Sequence, residues 1–91
     1  MADLTHIEAE ILRQTEARGP DKSICPSEVA RALAQGGATD GWQRFLTAVR
    51  RAAIRLADAG RIDILRKGKP IDPAETRGVI RLRIRPQTGT P

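Results

Sequence analysis

The residues best suited to chemistry in this chain are its arginines and lysines, because they are concentrated in one half of it. Residues 44–91 carry 12 Lys/Arg against 4 Asp/Glu, whereas residues 1–43 carry 4 against 7. The net charge of +5 therefore combines an acidic first half with a strongly basic second half. Clustered cations of this kind are typical of a surface that binds a polyanion, although a single arginine is more often an ordinary solvated side chain.

The basic residues of the second half form three groups that could contact a duplex. They lie on a predicted helix (Arg44, Arg50, Arg51, Arg55), on a hairpin tip (Arg66, Lys67, Lys69, Arg77) and on a strand (Arg81, Arg83, Arg85). Phosphate contacts dominate duplex affinity, and cations supply them without reading sequence. The predicted nucleic-acid-binding residues are Gln43, Arg44, Thr47, Arg50, Arg51, Arg55, Lys67, Lys69 and Arg77.

Base readout would fall to the polar residues near the start of the basic helix. Arg44 can chelate guanine and Gln43 can chelate adenine, with Thr47 alongside. Acidic residues near the same surface, such as Asp58 and Glu75, oppose a tight fit to phosphate. We therefore expect weak sequence preference.

The groups that could support catalysis or hold a metal are few. One cysteine, Cys25, and one histidine, His6, cannot form a disulfide or a structural zinc site within the chain. Cys25 has no second partner for a nucleophilic dyad, so we expect a small, buried and unreactive side chain. Lys67-Gly-Lys69 lacks the glycine spacing of a phosphate-binding loop. These patterns predict no enzyme activity, no cofactor and no metal site.

Hydrophobic periodicity predicts three helices that position the basic groups. Apolar residues recur at three- and four-residue spacing over 4–18, 26–35 and 41–59. Gly60 suits the left-handed position after the third helix. Trp42 and Phe45, the only two aromatic residues, fall on the apolar stripe of that helix and are predicted to be core residues. Binding of single-stranded nucleic acid is therefore disfavoured, because it relies on exposed aromatic rings on which the bases stack.

After Gly60 the period changes from that of a helix to that of a strand. Residues 61–66 and 79–85 alternate apolar with charged side chains, which predicts an antiparallel hairpin. Its tip, residues 67–78, is long, and residues 72–75 can form one helical turn. A very short extended piece fits between residues 22 and 25. We predict a single α+β domain, mainly helical, over residues 1–86, followed by a flexible tail at 87–91.

The order helix, short strand, helix, helix, strand, tip, strand is that of a winged helix, in which a three-helix bundle packs on a small β-hairpin.

Several segments also resemble a family of short bacterial proteins of unknown function. The resemblance spans about residues 5–85 and lies in Ser23-Ile-Cys-Pro-Ser-Glu-Val-Ala-Arg-Ala-Leu33, Trp42, Val49-Arg-Arg-Ala-Ala, Leu56-Ala-Asp-Ala-Gly-Arg-Ile62, Lys67-Gly-Lys-Pro and Arg77-Gly-Val-Ile-Arg-Leu-Arg83. It implies a winged-helix fold and a bacterial source, and no activity or site residues.

The chain is also similar, more broadly, to helix-turn-helix regulators. It departs from their compact turn, because seven residues, 35–41, separate helices two and three. The first hypothesis is a winged-helix protein that binds double-stranded DNA through helix three and the basic wing, as a regulator. The alternative is an interaction module for an acidic protein or ribosomal RNA. A homodimer would cover two half-sites. We expect a cytoplasmic protein, because the sequence shows neither the pattern of a secretory signal nor an apolar run long enough to span a membrane.

Overall fold

Three helices pack against a small antiparallel sheet in the computed structural model, which describes residues 4–34, 41–76 and 78–85. The helices are α1 (Leu4–Arg18), α2 (Pro26–Leu33) and α3 (Leu46–Asp58), and the strands are β1 (Ile62–Arg66), β2 (Lys69–Pro70) and β3 (Arg81–Ile84). The mainly helical α+β fold is confirmed. The predicted end of the second helix at residue 35 and the predicted tail lie outside the described residues. No helix within the described ranges is long and apolar enough to span a membrane.

One hydrophobic core joins the helices to the sheet. Ile7 and Ile11 of α1, Val29 of α2 and Val49 of α3 are at most 1% exposed. The two strands predicted as a hairpin pair in register, with Ile62 opposite Ile84 and Ile64 opposite Leu82, and all four side chains are buried. Alternating apolar residues therefore form the inner face of the sheet, as predicted.

The third helix begins later than predicted, because residues Trp42–Phe45 form a separate 3-10 turn before α3. A 3-10 turn rotates successive side chains by about 120° rather than 100°, so these residues leave the α-helical apolar stripe. Trp42 and Phe45 are half-buried and pack against the edge of the core. They therefore contact the core, as predicted, but they are not fully buried in it.

The sheet has three strands, in the order β2-β1-β3, where the sequence predicted two. Lys67 and Gly68 both have positive φ, 54° and 81°, which is the backbone of a two-residue turn between paired strands. Arg66 faces Lys69 across this turn. The predicted long tip is thus divided into a tight turn and a returning segment, which contains the predicted helical turn at Pro73–Glu75.

A single residue from the connection between α1 and α2 extends the sheet on its other side. Ile24 exchanges two backbone hydrogen bonds with Leu82, each of 2.8 Å, and is fully buried. This is the short extended piece that the sequence predicted between residues 22 and 25. It places the start of α2 beside the segment that leads into β3.

Candidate nucleic-acid interface

The face of α3 opposite the core carries cations and a hydroxyl. Its core side is fixed by Val49, Ala52, Ala53 and Leu56, which are at most 5% exposed. Thr47, Arg51 and Arg55 are exposed. At 100° per residue Arg51 and Arg55 lie about 40° apart around the helix, so both can meet one elongated anion.

Arg51 and Arg55 differ in how much of their charge is available. Arg55 Nε lies 2.8 Å from Glu8 Oε2, so α1 supplies it with a carboxylate. Arg51 makes no ion pair or hydrogen bond with any residue that the structure describes. Arg51 is therefore the more available cation, and the Arg55 charge is shared with Glu8 in the acidic half of the chain.

The predicted base-reading residues lie on and just after the 3-10 turn. Gln43, Arg44 and Thr47 are all exposed. The Arg44 guanidinium lies 5.9 Å from the Phe45 ring centroid and close to Gly41, where an added Cβ would sit 3.0 Å from Nη2. The Arg44 side chain is therefore folded back along the turn, and it has to extend to reach a base edge.

Arg50 has a different role from its neighbours on α3. It is half-buried, and its guanidinium donates to the Thr76 carbonyl at 2.5 Å and to the Gly78 carbonyl at 2.8 Å. These hydrogen bonds tie the segment that leads into β3 to the middle of α3. Arg50 is therefore a structural link, which the sequence did not distinguish from the exposed arginines.

The turn between β1 and β2 presents two further predicted contacts. Lys67 and Lys69 are exposed, and neither pairs with a carboxylate within the described part of the chain. Because both flank or occupy a two-residue turn, their Cα positions are fixed by the strand pairing. Arg77, the remaining predicted contact, lies outside the described residues.

The three arginines of the β3 region bind within the protein. Arg83 and Arg85 donate to the two carboxylate oxygens of Asp63, at 3.2 and 2.8 Å, and Arg81 donates to the Ser23 hydroxyl at 2.7 Å and to its carbonyl at 2.9 Å. Burial would raise the pKa of Asp63, but the hydrogen bonds from Arg85 and Arg83 outweigh it and lower the pKa. Asp63 therefore offsets part of the charge of the strand edge predicted as a basic group, whereas Arg81 binds only neutral acceptors.

Cys25 corrects a prediction of the sequence analysis, because it is not fully buried. Cys25 is half-buried rather than buried. It is the residue before α2, and its backbone N–H donates to the Glu28 carboxylate at 2.8 Å. The Ser27 hydroxyl donates to its sulfur at 3.1 Å. No group of three His, Cys, Asp or Glu able to hold a metal ion occurs among residues 4–34, 41–76 and 78–85.

A comparison with known protein families shows the family of this chain. Residues 5–85 match the family described as Protein of unknown function (DUF3253). The chain belongs to this family. The match runs from the first turn of α1 to the end of β3, so the exposed face of α3, the β1–β2 turn and Cys25 all lie within the DUF3253 region. No curated protein matches the sequence.

Proposed function

We propose that this DUF3253 protein is a winged-helix module that binds double-stranded DNA through the exposed face of α3 and the β1–β2 turn. The observation that carries the proposal is the position of its available charge. Arg44, Arg51, Lys67 and Lys69 are exposed and have no carboxylate partner among the described residues, and Arg55 adds a charge shared with Glu8. Such groups suit phosphate neutralisation, from which most non-specific duplex affinity arises.

The placement of these cations suits a duplex better than a small anion. An α-helix fits a major groove about 12 Å wide, and a basic turn beside it can follow the phosphate backbone. Arg50 fixes the segment leading into β3 against α3, so helix and sheet can act as one rigid surface. Gln43 and Thr47 would add base contacts near the start of the helix, and we expect weak sequence preference.

The test is the salt dependence of binding to random-sequence duplex, measured by fluorescence anisotropy. If about four of the cations neutralise phosphates, the logarithm of the binding constant should fall against the logarithm of salt with a slope of roughly −4, at about −0.9 per contact. The double variant Arg44→Gln/Arg51→Gln should flatten this slope by about 2 units.

The matched control removes the same charge from α1. Arg13 and Arg18 pair with Glu10 and Glu28, at 2.6 and 3.2 Å, and lie on a different element from the proposed interface. Arg13→Gln/Arg18→Gln should leave the slope unchanged. Equal weakening by both double variants, or no duplex binding by the folded protein at about 50 mM salt, would contradict the proposal.

A further inference from the structure

An apolar groove of about 370 Å³ opens between the start of α2, the 3-10 turn and the segment leading into β3. Its walls are lined by Cys25, Pro26, Ser27, Trp42, Leu46, Arg50, Gly78, Val79 and Ile80. Val79 is 83% exposed and is the one large hydrophobic residue that is exposed in the described part of the chain. We propose that this groove docks a segment of a partner protein in which apolar side chains alternate with carboxylates.

The acidic character of the partner follows from the charges at the groove. Arg50 lines it, and its guanidinium contacts two neutral carbonyls and no carboxylate among the described residues. The Arg31 guanidinium lies 4.8 Å from the centroid of the Trp42 ring, which forms another part of the wall. No Asp or Glu among the described residues lines the groove. Two cations beside an apolar surface are complementary to a carboxylate next to an apolar side chain.

The shape of the groove favours a segment of polypeptide over a small ligand. Small molecules are held in sites that bury most of their surface, whereas this groove is open along the side formed by Val79. Its volume holds two or three apolar side chains, and the polar groups at its edges can meet the charged positions between them. Apolar anchors in a groove with charged flanks are a common mode of peptide recognition.

The sole tryptophan of the chain lies in this groove, which gives a direct readout of binding. Trp42 fluorescence is titrated with a short blocked peptide of alternating leucine and glutamate. A second peptide has glutamine in place of glutamate, and octanoate serves as a free carboxylate. The expected result is a saturable change with the glutamate peptide and affinity about tenfold lower for the glutamine peptide, because a charge-assisted hydrogen bond is lost.

Two variants that add the same charge separate the groove from the rest of the surface. Val79→Asp places a carboxylate in the groove wall at an exposed position and should weaken peptide binding at least tenfold without unfolding the protein. Thr47→Asp places the same charge on the exposed face of α3, outside the groove lining, and should leave peptide binding unchanged. Far-ultraviolet circular dichroism establishes that both variants are folded.

Three results would overturn the proposal. They are equal affinity for the two peptides, equal weakening by Val79→Asp and Thr47→Asp, and the absence of saturation at about 1 mM peptide. Saturation by octanoate without saturation by the peptide would also overturn it and would assign the groove to a small carboxylate. Duplex binding is measured on the same variants, and Thr47→Asp should weaken it more than Val79→Asp, so failure of the DNA proposal and failure of this one are distinguishable.

Discussion

The arginines of α3 and those of the β3 region look alike in the sequence but differ in the structure. Arg81, Arg83 and Arg85 all bind Ser23 or Asp63. Arg51 on α3, in contrast, is exposed and has no partner within the described ranges. Both regions contribute to the same net charge, but the arginines of the β3 region are held by partners within the protein, whereas Arg51 has none among the described residues.

The difference arises from which elements pack beside each region. β3 pairs with β1, which brings Asp63 opposite Arg83, and it bridges to Ile24, which brings Ser23 beside Arg81. Among the described residues, the exposed face of α3 has neighbours at its edges alone, where Glu8 reaches Arg55 and the returning segment reaches Arg50. A count of basic residues therefore overstates the number of cations that have no partner within the protein.

The largest effect on stability is expected for Arg50. This substitution tests whether α3 carries one arginine that links two segments, Arg50, next to one without a partner among the described residues, Arg51. Arg50→Met removes two hydrogen bonds from a charged donor and should lower the free energy of unfolding by about 2–3 kcal/mol. Arg51→Met, on the adjacent residue, should change it by less than about 0.5 kcal/mol. Urea denaturation followed by circular dichroism measures both. Equal effects would remove the distinction between a linking and a free arginine.

A smaller effect is expected for Asp63, the carboxylate that pairs with Arg83 and Arg85. Asp63→Asn should cost about 1–2 kcal/mol at neutral pH, because two arginines lose a charged acceptor. Since the folded-state pKa of Asp63 is lowered, its contribution is complete above the unfolded-state pKa of about 3.9 and is lost as the pH falls through the folded-state pKa.

The difference in unfolding free energy between wild type and Asp63→Asn should therefore be constant near pH 6 and shrink below about pH 4. The control is Asp58→Asn, which changes an exposed carboxylate on α3 and should show neither the loss nor the pH dependence. A difference that persists unchanged to about pH 2 would mean that Asp63 does not act through its charge.

The smallest effect on stability is expected for the pair that joins the two halves of the chain. Glu8→Gln breaks an ion pair whose Arg55 side chain is 57% exposed, and it should cost at most about 1 kcal/mol. If α3 binds a duplex, however, the same variant releases Arg55 and should steepen the salt dependence by about 0.9 units. Glu10→Gln, which breaks a pair within α1, is the control and should leave that slope unchanged.

Much of the fold could be predicted from local pattern. The bounds of α1, the pairing of β1 with β3 and the helical turn at Pro73–Glu75 match the sequence expectations. The 3-10 turn at Trp42–Phe45 and the short strand β2 were not predicted. Both are too short to produce a period, and the Lys67-Gly68 turn is the one local signal that could have indicated β2.

Less of the candidate site could be predicted. The exposure of Arg51, Lys67 and Lys69 agrees with the sequence expectation, but the link made by Arg50 and the groove containing Trp42 and Val79 do not appear in any local pattern. Arg50 reaches carbonyls 26 and 28 residues away along the chain, and Arg81 reaches a serine 58 residues away. Such partners are chosen by packing and not by sequence spacing.

The sequence by itself determined the periodicity of the helices and strands, the apolar residues of the core and the separation of acidic from basic halves. These properties follow from backbone geometry and side-chain type, which are local. Only the tertiary structure decided which arginines have partners within the protein, how far Cys25 and Trp42 are buried and where an apolar groove opens. These depend on long-range contacts, because the charge that a side chain offers to a partner is what remains after its neighbours in the fold have bound it.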